Sequence, residues 1–566
     1  MADKCVYEMS MITDVPSQPF LKKQVVYVMD TMNTSDYTGQ VIIDLSQLSN
    51  SYQWIDFNSM TLEIPFQIVL STSGVQDLTS YVNSFFVGLK NPGSAGLIQS
   101  MTVSLNNTSV VQLSNYLSHY VEYKLMTSMS ESDVKKWGPT INFAPDSATS
   151  FVYAGATGSP NGVGYTNNRP NSSFTQNYGP TGGAPFNGTQ NNGFADRLRN
   201  TAMLGTTTST GHTGTAPVWY DGLLTDQALN NNYISQLKYD VPNNKVTFNI
   251  LATIRFKDIC HLFSELPLLR GTFCNLTINY NASVQTISYQ GASSTLSTST
   301  PQITGLTNPL LIASAAPYQP NSWMAGDDWS ITVASNVGQV IGAGQTNPIL
   351  GGKCRVSAQL YTMNPIFEER YLSLKTKDVY YTDVYTFLYQ NSIDASGSFN
   401  FLATNGISQP TKVIVVPYIS KSANAGLTSV PIYQSPFASE PGTTSTVPIT
   451  NWQVQVSGSN IFQADLQWDY QQFITELAPS DAINGGAITG LTSGLISQQD
   501  FTFGYRYLVA DLSRRLANDD LARSIQIQGK NQTNVPIDLL VLIEYRRKLT
   551  FDLSNGAIIS SAGLRT

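Results

Sequence analysis

Met101-Thr-Val-Ser-Leu-Asn-Asn-Thr-Ser-Val-Val-Gln and, about 350 residues later, Trp452-Gln-Val-Gln-Val-Ser-Gly-Ser-Asn-Ile-Phe-Gln are two versions of one pattern. Met101, Val103 and Leu105 align with Trp452, Val454 and Val456, apolar residues separated by polar ones, as in a half-buried strand. Asn106-Asn107-Thr108-Ser109 aligns with Ser457-Gly458-Ser459-Asn460, which is turn chemistry. Val110-Val111-Gln112 aligns with Ile461-Phe462-Gln463. An aromatic stretch of helical character follows each copy: Tyr116, Tyr120 and Tyr123 in the first, Trp468, Tyr470 and Phe473 in the second.

A second matched pair stands in the same order. Lys245 to Phe256 reads as a strand with Val246, Phe248, Ile250, Ala252, Ile254 and Phe256 on one face. It runs into Asp258-Ile-Cys-His-Leu-Phe-Ser-Glu-Leu, where Ile259, Leu262, Phe263 and Leu266 recur at helical spacing. Leu269-Arg270-Gly271 then leads to a strand from Phe273 to Tyr280. Near the end, Phe501-Thr-Phe-Gly-Tyr-Arg-Tyr-Leu-Val reads as a strand, Asp511-Leu-Ser-Arg-Arg-Leu as a short helix, and Ser524-Ile-Gln-Ile-Gln as the next strand. Two anchors in one order imply a duplicated unit.

Spacing locates an insertion in the first unit, from about Thr140 to Asp240. Gly155-Ala-Thr-Gly-Ser-Pro-Asn-Gly and Gly179-Pro-Thr-Gly-Gly-Ala-Pro-Phe-Asn-Gly within it continue neither helix nor ladder. Its aromatics, Phe151, Tyr153, Tyr165, Phe174, Tyr178, Phe186 and Trp219, suit a loop that packs on something. Because the second unit does without it, its removal is expected to leave both units folded.

The chain has 566 residues, more than one core normally fills. Its charged fraction is 12%, against roughly 25% in ordinary soluble proteins. From Gly271 to Gly326 there is no Asp, Glu, Lys or Arg. Neutral polar surfaces suit protein–protein contact, because little charge is desolvated on burial. The net charge of −7 argues against direct nucleic-acid binding, which needs clustered cations. Lys22-Lys23, Arg514-Arg515 and Arg546-Arg547-Lys548 are the densest basic spots, each too short to track a phosphate backbone; ion pairs or a solvated edge account for them.

Cys5, Cys260, Cys274 and Cys354 are too few for a disulfide framework. The first residues carry acid where an export signal would carry base. No apolar run reaches the roughly 18 residues needed to span a bilayer. The chain therefore reads as soluble, with no transmembrane segment and no export by the usual route.

Strand signals dominate elsewhere. Met60, Leu62, Ile64, Phe66, Ile68 and Leu70 alternate with polar or small residues; so do Ile537, Leu539, Val541, Ile543 and Tyr545, with Glu544 and Arg546 on the other face. Val413-Ile-Val-Val is a short buried run. Tyr361 to Leu372, with Asn364-Pro365, marks a connector near residue 370. The expected fold is all-β: two tandem antiparallel sandwiches with short helical inserts.

These segments carry a resemblance. Asp258-Ile-Cys-His-Leu-Phe-Ser-Glu-Leu-Pro-Leu-Leu-Arg-Gly with Asn275-Leu-Thr-Ile-Asn-Tyr-Asn, then Val379-Tyr-Tyr-Thr-Asp-Val-Tyr, Asn405-Gly-Ile-Ser-Gln-Pro-Thr-Lys-Val-Ile-Val-Val-Pro and Ile543-Glu-Tyr-Arg-Arg-Lys-Leu-Thr-Phe-Asp resemble the double jelly-roll major capsid proteins of double-stranded DNA viruses, most of all the polinton-like virus and virophage branch. The resemblance implies an arm at 1–24, a first jelly roll at 25–368 carrying the insertion at about 140–240, a second jelly roll at 369–553 and a tail at 554–566. It implies a homotrimer forming a pseudo-hexameric capsomer of an icosahedral virion, assembled inside the host cell. Neighbouring capsomers, penton and minor capsid proteins would be its partners. The 140–240 stretch is outside the resemblance.

Candidate chemistry is sparse, and no catalytic, cofactor-binding or metal residues are expected. His119, His212 and His261 have no metal-ligand spacing, and Cys260-His261 with Cys274 reads as core packing. Asp327-Asp328, Glu368-Glu369 and Asp519-Asp520 are adjacent pairs, whereas a glycosidase needs carboxylates facing each other across a cleft. Gly342-Ala-Gly-Gln-Thr-Asn and Gly155-Ala-Thr-Gly read as loops. The triplets at Asn106, Asn171, Asn187, Asn275 and Asn281 match the glycosylation pattern at the rate so Asn- and Thr-rich a chain produces by chance. A capsid subunit without enzymatic activity is therefore the leading reading. A viral spike or cell-surface adhesin binding glycans through the insertion is the alternative, and a β-sandwich carbohydrate enzyme comes third.

Overall fold

The computed structural model describes residues 18–562 except 34–36, 50–52, 73–84, 147–192, 194–195, 198–234, 241–244, 291–294, 299–301, 315–328, 339–349, 421–433, 435–446, 482–493, 513–520 and a few single positions. Eight strands organise the first half: β1 (Phe20–Met29), β2 (Gln40–Asp44), β3 (Trp54–Thr72), β4 (Ile98–Leu105), β5 (Thr108–Leu113), β6 (Lys245–Arg255), β7 (Cys274–Tyr280) and β8 (Arg355–Met363). They pair antiparallel in two sheets, ordered β1-β8-β3-β6 and β2-β7-β4-β5.

Eight more organise the second half: β9 (Thr376–Ile393), β10 (Ser398–Ile407), β11 (Pro410–Ile419), β12 (Ile449–Val456), β13 (Ser459–Asn460), β14 (Leu508–Asp511), β15 (Arg523–Asn531) and β16 (Ile537–Asp552). Their sheets run β9-β16-β11-β14 and β10-β15-β12-β13. Each position of the first half recurs in the second with its number raised by eight. That order, with the chain crossing between sheets until its last strand lies beside its first, is the jelly-roll order.

Local chemistry explains the matched hairpins. In β4–β5 the left-handed residues are Asn106 and Asn107, with φ of 49° and 63°. In β12–β13 they are Ser457 and Gly458, with φ of 49° and 79°. Two consecutive left-handed residues give the turn whose twist matches the flanking strands. Met101, Val103 and Leu105 point into the first core, and Trp452, Val454 and Val456 into the second.

Between β5 and β6 lie α1 (Leu117–Ser128) and α2 (Glu131–Ile141); between β6 and β7 lie α3 (Phe256–Ile259) and α4 (Leu262–Glu265). Ile259, Leu262, Phe263 and Leu266 are buried, as their spacing demands. The connector is a helix, α5 (Pro365–Leu372), started by Asn364, whose side chain accepts from the Ile366 amide, with Pro365 in the first turn. After β13 come α6 (Tyr470–Asp481) and α7 (Gln498–Phe503).

Several expectations are corrected. Phe501 to Phe503 belong to α7, because Ser497 and Asp500 form a capping box ahead of them; the strand begins only at Leu508. Strand β1 starts at Phe20, inside the stretch read as an arm, and Ile558–Ala562, read as tail, pairs with β16. The Asp511–Leu516 helix falls mostly outside the described residues.

The described parts of the insertion are anchored in the core. Ile141 and Phe143 are buried, and Ser235–Asp240 extends the first sheet beside β6. Arg197 lies fully buried: Nε donates to Leu89 O at 2.9 Å, Nη1 to Ala144 O at 2.6 Å, and Nη2 to Asp146 Oδ1 at 2.8 Å.

Candidate assembly interface

The seam between the halves is the best-built interface of the molecule. Helix α1 crosses the outer face of the β9-β16-β11-β14 sheet and touches each strand or its approach in turn. Thr386 of β9 donates its hydroxyl to Asn115 O at 2.8 Å, just before the helix. Tyr120 donates to Glu544 Oε1 of β16 at 3.0 Å. His119 meets Tyr418 of β11 edge-on, and Tyr123 meets Tyr507, immediately before β14, in the same way. At the far end the Leu495 amide donates to Met126 O at 2.8 Å.

This cover explains β16, whose residues from Ile537 to Ile543 are buried on both faces. Leu539, Val541 and Ile543 fill the sandwich, while Leu540 and Leu542 share the Glu544 face that α1 covers. Sequence alternation gave only the first set.

A second patch lies below α1. Tyr381 donates to Val110 O at 2.5 Å, and the Thr382 amide donates to His261 Nδ1 at 3.2 Å. Asp383 is buried and accepts from Arg547 Nη1 at 2.8 Å and Tyr545 Oη at 3.0 Å. Burial pushes the Asp383 carboxyl up from its ordinary range, against the pull of Arg547. Farther along, Asn106 Nδ2 donates to Gly556 O at 2.7 Å, and Tyr505 of the second half donates to Asp146 O at 2.9 Å, beside the Arg197 anchor. The two matched sandwiches thus share one continuous core.

The chain is a double jelly roll.

The residues flagged by sequence are spent on this architecture. Cys260, Cys274 and Cys354 are buried free thiols, pushed up to about 12 by desolvation. Burial, with the Lys90 charge near it, pushes the His119 imidazole down to about 3. His261 joins the seam. Glu368 pairs with Arg270, Lys548 with Asp378, and Lys23 lies over the Tyr361 ring. Asn281 is buried and donates to Gly96 O and Thr307 Oγ1, and both ends of the Asn106 side chain are hydrogen-bonded. Neither can accept a glycan in the folded protein. Among the described residues no cluster of His, Cys, Asp and Glu could hold a metal ion. Among them, too, no helix is long and apolar enough to cross a membrane.

Cys5, His212, Asp327-Asp328, Asp519-Asp520, Arg514-Arg515, Asn171, Asn187 and the loop glycines at 155 and 342 lie outside the described residues. Sequence reasoning placed Tyr120 on an aromatic helix without a partner, and gave Arg197, Asp146 and Asp383 no role.

No protein-family model and no curated protein sequence matches the chain. Solved structures do. The Sputnik virophage structure overlaps it with a TM-score of 0.47 and 11% identity, over 98% of this chain and 90% of that one. The mavirus major capsid protein gives 0.45 and 11%, over 98% and 93%. The Faustovirus major capsid protein gives 0.40 and 10%, over 94% and 92%. At these overlaps the fold assignment stands on the strand order and the seam described above.

Proposed function

We propose that this chain is a major capsid protein of an icosahedral double-stranded DNA virus, three copies forming a pseudo-hexameric capsomer. The observation that carries the reading is the complete repetition of one eight-strand order within a single chain, the two sandwiches standing against each other across a buried seam. Two similar lobes per chain let a closed trimer present six, an outline that tiles a shell.

The surface supports it. Strands β2 and β10 occupy equivalent positions, and each leaves one aliphatic residue outward: Ile42, 47% exposed, and Leu402, 51% exposed. Their sheet neighbours in register are Thr277 and Gln526, neutral polar residues that lose little on being covered.

In this reading the first roll begins with β1 at Phe20 and runs to about residue 368, and the second roll runs from there through β16 to the strand Ile558–Ala562 beside it. Neighbouring capsomers, penton and minor capsid proteins are the partners, the virion is the location, and host cells are the place of assembly. The reading gives the chain a structural role, which requires no catalytic, cofactor or metal site. Size-exclusion chromatography with light scattering tests the reading: a particle of three times the chain mass is expected, and a monomer at high concentration would defeat it.

A further inference from the structure

Two copies of one reactive dipeptide sit in opposite surroundings. Asn-Gly occurs at Asn405-Gly406 and Asn555-Gly556, while the pairs at 161, 187, 192 and 484 reach outside the described residues. Glycine after asparagine leaves the next backbone nitrogen unshielded, so that it can reach the asparagine side-chain carbon. The fold decides whether it does.

Asn405 and Gly406 are both exposed near the end of β10, an edge strand of its sheet. In register, Thr404 faces Ile525 and Ile407 faces Arg523 on β15, so the two residues oppose Ser524 alone. They form a bulge outside the ladder. Among the described residues the Asn405 carboxamide has no hydrogen-bond partner. The Gly406 amide has only Thr404 Oγ1 at 3.4 Å, longer than an ordinary bond. A Cβ built on Gly406 would meet nothing within 4 Å.

Asn555-Gly556 is the reverse case. Asn555 Oδ1 accepts from the Ala557 amide at 2.9 Å, and the Gly556 amide donates to Asp552 O at 2.8 Å. Gly556 is buried with φ of 69°, and a Cβ there would lie 2.1 Å from Thr272 Oγ1. Both reacting groups are held.

We propose that Asn405 is a self-modification site, converted with water to aspartate and isoaspartate in the folded protein. The Gly406 nitrogen gives its proton to solvent and bonds to Asn405 Cγ. The Cγ–Nδ2 bond breaks, and Nδ2 leaves as ammonia with a proton taken from solvent. Water then opens the five-membered imide at either carbonyl. Opening at Cγ restores the main chain as aspartate; opening at the main-chain carbonyl leaves the chain running through the side chain as isoaspartate. The extra main-chain atom of isoaspartate falls in the bulge, where the ladder is already interrupted, so the product stays folded. Each event places a carboxylate on a strand whose exposed Asn400 and Leu402 are uncharged, and so marks the copy with its age.

Peptide mapping by mass spectrometry tests this on the full chain kept native in mildly alkaline buffer and digested at acid pH. A gain of about 1 Da at Asn405, as a pair of isomeric peptides, is expected. Its rate should be at least about tenfold that at Asn555, which reacts only after local opening. Gly406→Ala fits the open space and should slow the gain at Asn405 by about tenfold with unchanged circular dichroism. An Asn405 that stays intact over an incubation converting it in the urea-unfolded chain overturns the proposal. So do equal rates at Asn405 and Asn555, or a Gly406→Ala variant that reacts as fast as wild type.

Discussion

Tyr120 donates its phenolic hydrogen to Glu544 across 3.0 Å, joining a helix of the first roll to the central strand of the second. Burial and the Glu544 carboxylate hold that phenol well above its ordinary range, so it is a donor at every physiological pH. Tyr120→Phe keeps the ring in the seam and removes the bond. A hydrogen bond to a charged acceptor contributes about 1.5–3 kcal/mol, and this partly buried one should fall at the lower end. The denaturation midpoint should drop accordingly; an unchanged midpoint would mean that water replaces the hydroxyl at no cost.

Arg197 makes the opposite kind of test, because it sits in the stretch that sequence read as dispensable. Arg197→Ala leaves Asp146 buried without its cation, which costs about 3–5 kcal/mol. Lys548→Ala removes a solvent-exposed partner of Asp378 and should leave the melting temperature where it was. Equal effects of the two substitutions would contradict the anchoring role. Cutting the whole of 140–240 is expected to destabilise the protein for the same reason.

The buried His119 gives a pH dependence. Its folded-state pKa, about 3, lies below the unfolded value near 6.5, so the unfolded chain binds the proton first. Stability from this group is therefore complete above about pH 6.5 and declines as pH falls towards 3, by roughly 1.4 kcal/mol per unit. At pH 5 the loss is about 2 kcal/mol. His119→Phe, still edge-on to Tyr418, should flatten that part of the stability–pH curve relative to wild type. Parallel curves would show that His119 binds its proton equally well in the folded and unfolded chain, contradicting its burial.

Three thiols should be silent in the native protein. Cys260, Cys274 and Cys354 are buried and their thiolates are suppressed at neutral pH. A thiol-specific chromogenic disulfide should titrate them only after denaturation. Rapid reaction of more than one thiol in the native protein would contradict the packing.

What the sequence disclosed and what it withheld follow from range. Asn106-Asn107 and Ser457-Gly458 announce their hairpins because a tight turn needs left-handed residues, and the alternation on either side shows which face is inward. Leu540 and Leu542 carry no such mark. They look like neighbours of Leu539 and Val541, and only the helix laid over them from 420 residues away explains why both faces of β16 are apolar. Phe501 and Phe503 read as strand because their spacing is two, yet the capping box just before them decides for helix. Arg197 was invisible because two of its three partners are main-chain carbonyls, which every sequence supplies.

The central claim is that three such chains close into a six-lobed ring, and electron microscopy of the purified protein addresses it most directly. Class averages should show a pseudo-hexagonal particle with threefold symmetry and six lobes of similar size. Isolated two-lobed particles at every concentration, or rings of any other symmetry, would contradict it.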